Sequence, residues 1–382
     1  MENPRPHEPA FTRSAREVAQ GRGAEASLIQ IVRADMTKTA TEVQVFAGVD
    51  VSARELSVAM RSATMDREEV QSFSNNAAGH QALLGHLLRG KGRARVCLEA
   101  SGNYSLDLAL TLHANRRAEV SVVNPRRARR FAESLGERNK TDPVDAHVLC
   151  QYAVRMPWEP WVPPSALALR LRGLTRAIEA LGVTQTQEKN RQHSLRASRA
   201  LPTFVIRELQ RHLEYLQLRI TRLRREALRL IARDPELDRR FRLMLTTPGI
   251  AETSALQILG ELAALPATLD ARQWVAFAGL DPVRFSSGTT VDKKPRISRG
   301  GSRHLRRALY MPALVAIRHE PHLRAFFQRL VAHGKAPLQA IVAVMRKLLH
   351  AFFAMFRSDH SYDGSRLCLV EVASNPVAMC AA

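Results

Sequence analysis

Short apolar runs alternate with amphipathic segments from residue 43 to residue 155. Runs such as 43–50 and 94–99 have the length and the β-branched content of buried strands. The pattern predicts strands at 43–50, 55–61, 69–74, 94–99 and 119–123, and helices at 77–89, 104–115, 125–134 and 143–155. Three hairpin-like strands followed by alternating strand and helix units indicate an α/β domain built on one sheet.

The pattern becomes helical from about residue 165 to 240, after a proline-rich segment at 157–164 that predicts a domain boundary. Apolar residues within this helical part recur with a seven-residue repeat: Leu209, Leu213, Leu216, Ile220, Leu223, Ala227 and Leu230. Such a repeat is typical of a coiled-coil seam. A contact between two subunits and an intramolecular hairpin against 166–198 both satisfy it.

A third segment begins near residue 241. Pro248, Gly249 and Ile250 predict a tight turn of the helix-hairpin-helix type, with a plain helix–helix connection as the alternative. Apolar-rich helices are predicted at 304–318 and 322–357, the second with a core stripe of His322, Phe326, Phe327, Leu330 and Val331. The predicted organisation is a disordered arm at 1–40, an α/β domain at 41–157, a helical coiled-coil region at 165–240, a mostly α-helical domain at 241–357 and a tail at 358–382.

The charge balance of the chain indicates what kind of partner it binds. The chain has 382 residues, with 57 Lys and Arg against 36 Asp and Glu, a net charge of +21 and a pI near 11.0. Such an excess favours a polyanion, because each neutralised phosphate releases counterions. No uninterrupted apolar run approaches the ~18 residues of a spanning helix, so we expect nucleic acid and no membrane. The four cysteines are too scattered for a zinc site or a disulfide framework, which favours a reducing cytoplasm.

Four carboxylates are the candidate chemistry. Asp50 and Glu99 each lie at the end of a predicted strand, and Asp142 and Asp145 begin a predicted helix around Pro143. Asp142 as a helix N-cap is the simpler interpretation of the last pair. Two strand-end acids besides them favour a cluster, because charged groups are rarely buried unless they are paired or bind metal. Four carboxylates can hold two Mg²⁺ ions about 3.5–4 Å apart for phosphodiester chemistry.

Basic residues lie next to these acids in the sequence. Lys140 precedes Asp142, and a predicted helix after Asn124 carries Arg126, Arg127, Arg129 and Arg130. A solvated basic face is the alternative to a surface that holds a phosphate backbone beside the metals.

In combination, these residues resemble a known family. The Asp50, Glu99, Asp142 and Asp145 set is similar to that of the DEDD transposases of bacterial insertion sequences, the insertion sequence 110 family of bridge-RNA-guided recombinases. The matching words are Gly48-Val-Asp-Val-Ser, Leu98-Glu-Ala-Ser-Gly, Val123-Asn-Pro and Lys140-Thr-Asp-Pro-Val-Asp-Ala. The resemblance runs from about residue 43 to 357. It implies a ribonuclease H-like (RuvC-like) fold for the α/β domain, and catalytic and metal-binding roles for the four acids.

The resemblance also implies a nucleophile that spacing alone does not reveal. The family's C-terminal transposase domain has a serine before a glycine, which maps to Ser287, with Ser286 as the neighbouring ambiguity. Arginines nearby would position DNA phosphates: Arg296, Arg299, Arg303, Arg306 and Arg307. Pro295 and Arg299 depart from the Gly and Lys frequent in the family. The implied partners are donor and target DNA, a structured guide RNA and further copies of the chain, as a dimer or tetramer, on the bacterial nucleoid.

Three other classes of protein account for part of the pattern. A metal-only nuclease of the junction-resolvase kind needs the acids but leaves Ser287 structural. A sugar-kinase or actin-like ATPase shares the strand-end aspartate, although its later glycine-rich phosphate loops are not evident. A non-catalytic nucleic-acid-binding protein needs only the basic charge and leaves the four acids unexplained.

Overall fold

The structure is a computed structural model that describes residues 43–64, 67–137, 139, 141–197, 203–287 and 291–366, with the backbone alone for 285–287 and 291–295. The predicted arm at 1–40, Lys140 and the end of the predicted tail lie outside the described residues. The described chain falls into two compact units, on either side of the bond between Pro163 and Pro164.

The first unit follows the predicted order of strands and helices closely. Its strands are β1 Val43–Val51, β2 Glu55–Ser62, β3 Glu68–Ser74, β4 Arg93–Glu99 and β5 Ala118–Val123. Its helices are α1 Ala77–Leu87, α2 Leu106–His113, α3 Pro125–Ser134 and α4 Asp142–Arg155. The predicted α/β class is confirmed.

The strands form one mixed sheet with the order β3-β2-β1-β4-β5. β1, β2 and β3 pair antiparallel, whereas β4 runs parallel to β1 and β5 runs parallel to β4. This arrangement is consistent with the expected ribonuclease H-like domain. Val49 on β1 is in register with Leu98 on β4, so the next residue of each strand, Asp50 and Glu99, reaches the same edge of the sheet.

The sheet is covered on both faces, as expected of a sheet whose central strands are apolar throughout. On one face, Val49 and Leu98 pack with Leu83 of α1 and Leu108 of α2. On the other face, Cys97 packs with residues of α3 and α4 such as Ala128, Leu149 and Tyr152. Because side chains alternate along a strand, Asp50 and Glu99 project to this second face, the one that α4 covers.

The second unit is mostly helical. Its described α-helices are α5 Ala166–Arg196, α6 Thr203–Ala232, α7 Pro235–Leu245, α8 Glu252–Leu262, α9 Ala271–Phe277, α10 Arg303–His319, α11 Pro321–Ala332 and α12 Pro337–Ser358. Two strands, β6 Pro282–Ser287 and β7 Val291–Ile297, pair as a hairpin. The helices share one apolar core.

The seven-residue repeat of α6 lies on a helix that packs against α5 of the same chain. Helices α5 and α6 pack antiparallel, with the Gln185 side chain donating to Gln217 at 2.9 Å and Gln192 donating to Gln210 at 3.0 Å. Leu213, Leu216 and the later repeat positions Ala227 and Leu230 are buried. The intramolecular hairpin accounts for these positions, and a coiled coil between subunits stays a prediction.

A buried carboxylate ties three helices of the second unit together. Glu261 at the end of α8 is 2% exposed and accepts from Arg176 of α5 at 2.6 and 3.0 Å. It also accepts from Ser302, the N-cap of α10, at 2.8 Å. Burial of this charge is tolerated because each carboxylate oxygen has a donor.

The structure corrects two predictions near the C-terminus. The predicted helix 322–357 is two helices, because Gly334, with a φ of +77°, ends the first and Pro337 begins the second. The predicted core stripe on the first of these, α11, holds only in part: Phe326 and Phe327 are partly buried against the core, whereas Val331 is exposed. The fully buried residue of this helix is Leu323, which is not part of the stripe. By length and composition alone α12 is apolar enough to cross a membrane, although charged residues interrupt its apolar run. Its Phe352 is fully buried in the core.

We expect Gly48→Ala to destabilise the first unit by about 1–3 kcal/mol, as overpacking does. A Cβ at Gly48 would lie 2.1 Å from the backbone N of Cys150 and 2.2 Å from the carbonyl O of Ala146, both on α4. The free energy of unfolding from urea titration measures the effect. Gly85→Ala on α1 is the control, since a Cβ there meets no described atom within 4 Å and a helix gains about 0.5–1 kcal/mol from alanine. Equal stability of the two variants would contradict the close contact.

Candidate active site

The four predicted acids all lie in the first unit, on three of its elements. Asp50 is the next-to-last residue of β1, and Glu99 ends β4. Asp142 and Asp145 lie in the first turn of α4. The close backbone contact between α4 and Gly48 places the start of this helix beside the end of β1.

The predicted N-cap role of Asp142 is wrong. The N-cap of α4 is Thr141, whose side chain makes no cap hydrogen bond, and Asp142 is the first helical residue. Pro143 is tolerated here because the first turn of a helix lacks partners for its N–H groups. Asp142 is exposed.

The charges of the other three acids act on Asp50. Asp50 is half-buried, and burial together with the charges of Asp142, Asp145 and Glu99 raises its pKa to about 6. The backbone N–H of Val51 acts in the opposite direction. An aspartate that feels three other carboxylates gains from a bound cation, so the donor set suits a hard divalent ion such as Mg²⁺. Among the described residues, no three side chains of Asp, Glu, His or Cys lie close enough together to ligate one ion.

A groove of about 580 Å³ joins two of these acids to the basic helix. Glu99 and Asp145 line it together with Arg126 and Arg129 of α3. Asn124 caps α3 by accepting from the backbone N–H of Arg126 at 2.9 Å, which fixes where the helix begins. Carboxylates and guanidinium groups therefore line one groove.

The predicted arginines of α3 are not equivalent. Arg127 donates to Glu159 at 2.7 and 3.2 Å and lies over the ring of Tyr152, which gives it a structural partner in the same unit. Arg129 also pairs with Glu133, at 3.2 Å, and Arg130 is exposed.

Sequence inspection missed a second anchor of α4. Nδ1 of His147 lies 2.6 Å from Oε1 of Glu68 on β3, and Gln151 donates to the other oxygen of Glu68 at 3.3 Å. Glu68 thus holds two successive turns of the helix that carries Asp142 and Asp145. Its partners are 79 and 83 residues away in sequence, so no local pattern indicated the contact.

The predicted serine lies in the second unit. Ser286 and Ser287 end β6, where the backbone of Ser287 pairs with Val291. The structure describes neither the side chains of these two serines nor Gly288. Arg296, Arg299 and Arg303 are exposed near this hairpin, and Arg299 has a φ of +52°.

Two other predicted arginines have partners within this unit. Arg306 turns inward and donates to the carbonyl oxygens of Ala278, at 2.8 Å, and Gly301, at 3.2 Å. Arg307 pairs with Glu179 at 3.5 Å.

Comparison with known proteins gives the class. A family described as transposase, named for its DEDD residues and for IS110, matches residues 47–196, and the family described as "Transposase IS116/IS110/IS902 family" matches residues 241–328. The first match contains all four acids, and the second contains Ser287. Transposases are DNA-processing enzymes.

Curated relatives agree with the two family matches. The chain is 30% identical to a pilin gene-inverting protein of Moraxella bovis over 296 residues, which is 76% of this chain and 90% of the relative. It is 32% identical to that of Moraxella lacunata over 269 residues, 70% of this chain and 81% of the relative. An IS900 insertion-element protein of Mycobacterium paratuberculosis is 30% identical over 196 residues, 49% of this chain and 45% of the relative. The chain belongs to the IS110 family of transposases.

We expect Asp50→Asn to stabilise the metal-free protein above pH 6. A folded pKa of about 6 against an ordinary 3.8 means that ionisation of Asp50 costs folding free energy as the pH rises through this interval. The gain should be about 1 kcal/mol once solvent screening of a half-exposed group is included, and it should vanish below pH 3.8. Urea unfolding with chelator across this range measures it.

Asp107→Asn, on an exposed carboxylate of α2 outside the cluster, is the control for this measurement. A loss of stability in Asp50→Asn at pH 8 would contradict the crowding of charge at Asp50.

Proposed function

We propose that this protein is a site-specific DNA recombinase of an insertion element, with a magnesium-binding acidic centre and a serine nucleophile. The observation that carries the proposal is the action of three carboxylates, from β4 and α4, on the half-buried Asp50. Structural ion pairs stabilise folds, whereas acids gathered in this way destabilise the fold unless a ligand compensates them. The arginines that share a groove with Glu99 and Asp145 supply a place for a nucleic-acid backbone.

Asp50, Glu99, Asp142 and Asp145 would hold the metal, two Mg²⁺ ions in the full site. When bound, Mg²⁺ supplies positive charge at the scissile phosphate and favours the ionised form of an attacking oxygen. The protein's own part is to position the strand. Arg126 and Arg129 bind phosphate oxygens next to the acids, and Glu68 keeps α4 in place through His147 and Gln151.

Ser287 is the proposed nucleophile, with Ser286 as the alternative. Its Oγ forms a bond to the scissile phosphorus while the bond from phosphorus to a sugar oxygen breaks. The serine loses its proton, and the leaving sugar oxygen takes one up. The product is a covalent phosphoserine link, which a second exchange of strands resolves. Arg296, Arg299 and Arg303 would position phosphates around this hairpin.

The proposed partners are DNA, a guide RNA and further copies of the chain. A structured RNA encoded by the element would pair with donor and target DNA, leaving the protein to contact backbone and shape. The acids and the serine belong to different units of the chain, and in the proposed dimer or tetramer different subunits supply the two halves of the site. The name of the two Moraxella relatives, pilin gene-inverting protein, suits a reaction that exchanges strands reciprocally. We place the protein on the nucleoid, in the cytoplasm.

We expect Asp142→Ala to abolish magnesium-dependent cleavage of the element's DNA ends, and Ser287→Ala to abolish the covalent protein–DNA adduct. The adduct is measured by denaturing gel electrophoresis with labelled DNA. Ser286→Ala is the matched control and should keep the adduct if Ser287 is the nucleophile. Cleavage that survives Ser287→Ala would instead identify a metal-only nuclease, and cleavage that survives Asp142→Ala would contradict the acidic centre.

A further inference from the structure

A second groove, of about 510 Å³, opens at the carboxyl edge of the sheet, between α1 and α2. These helices cover the face opposite to α4, so the groove lies across the sheet edge from the acidic cluster. Side chains that line it include Gln81, Asn103, Tyr104, Asp107 and Thr111. Its volume falls within the range of about 300–1,000 Å³ that is usual for ligand sites.

Tyr104 is the aromatic residue of this groove, and its side chain is 57% exposed. Such exposure of a large aromatic ring needs an explanation, which lies in how the loop that carries Tyr104 is held. The side-chain nitrogen of Asn75 donates to the carbonyl oxygen of Tyr104 at 3.2 Å and to that of Ser52 at 2.7 Å. The loop that carries Tyr104 is thereby tied to the loop that follows Asp50.

A buried histidine fixes this connection. Nε2 of His80, a residue only 4% exposed, lies 2.8 Å from Oδ1 of Asn75. Because the amide nitrogen of Asn75 donates to two carbonyls, its oxygen accepts, and His80 carries its proton on Nε2. Burial lowers the pKa of His80, which keeps the ring neutral. The network holds the rim of the groove rigid and adds no charge to it.

The lining favours an uncharged, planar ligand with hydrogen-bonding edges. Asp107 opposes a phosphate in this groove, whereas the amides of Gln81 and Asn103 match the donors and acceptors at a base edge. An exposed tyrosine ring is the usual platform for an unpaired base. We propose that this groove binds an unstacked nucleobase of the strand handled at the acidic edge, with Tyr104 stacking on the base.

This inference rests on the proposed function, since it places a base subsite beside the acidic centre. With phosphates held by α3 on one face and a base held between α1 and α2 on the other, the strand would cross the edge where Asp50 and Glu99 lie. A base turned out of its stack would also expose the adjacent phosphate.

The test compares binding of two probes to the full chain without Mg²⁺, by fluorescence anisotropy. One probe is labelled oligodeoxythymidine, and the other is an abasic oligonucleotide of the same length and charge. Tyr104→Ala should weaken binding to the thymidine probe about ten-fold and leave binding to the abasic probe unchanged. Tyr104→Phe is the matched control and should bind both probes as the unsubstituted protein does. Thermal melting checks that each variant folds.

Equal weakening of both probes, or no change with either, would overturn the base subsite. A second measurement needs no variant: 5-iodouracil in the thymidine probe should cross-link to Tyr104, and a cross-link found only elsewhere overturns the inference. Failure here leaves the proposed function standing, because that is decided separately by cleavage with Asp142→Ala.

Discussion

Repulsion among four carboxylates at one edge of a sheet is the constraint on which the rest of this structure depends. Asp50 lies half-buried at the end of a central strand, and the charges of Glu99, Asp142 and Asp145 act on it. Nothing in the packing of an α/β domain requires this arrangement, and it costs folding free energy at neutral pH. A cost of that kind is expected where a site is prepared for a cation.

The other contacts of the first unit keep those four charges together. Parallel pairing of β1 and β4 brings Asp50 and Glu99 to one edge in register. Gly48 allows the backbone of α4 to lie directly on β1, which delivers Asp142 and Asp145. Glu68 then holds α4 through two successive turns. The apolar core stabilises this geometry against the repulsion, and α3 adds cationic side chains on the open side.

The elements of the first unit could be predicted from sequence because their signals are local. The run from Val43 to Asp50 and that from Ala94 to Glu99 each show a strand and its terminal acid within a few residues. The cap of α4 was predicted one residue too late, since a proline at either of the first two helical positions is compatible with the same sequence. The link between His147 and Glu68 and the inward turn of Arg306 depend on distant partners, which no local pattern contains. The role of Tyr104 could not be predicted for the same reason, because its position depends on Asn75 and His80, which are distant in sequence.

Convergence of the four acids on one ion can be measured in the chain itself. Fe²⁺ in place of Mg²⁺ generates hydroxyl radicals with ascorbate and peroxide, and these cut the backbone close to the bound metal. If the four acids share one site, cuts should fall near Asp50, near Glu99 and within 142–145 in the same protein, and excess Mg²⁺ should suppress all of them. Cuts at one of these segments alone, or scattered evenly along the chain, would contradict a shared site.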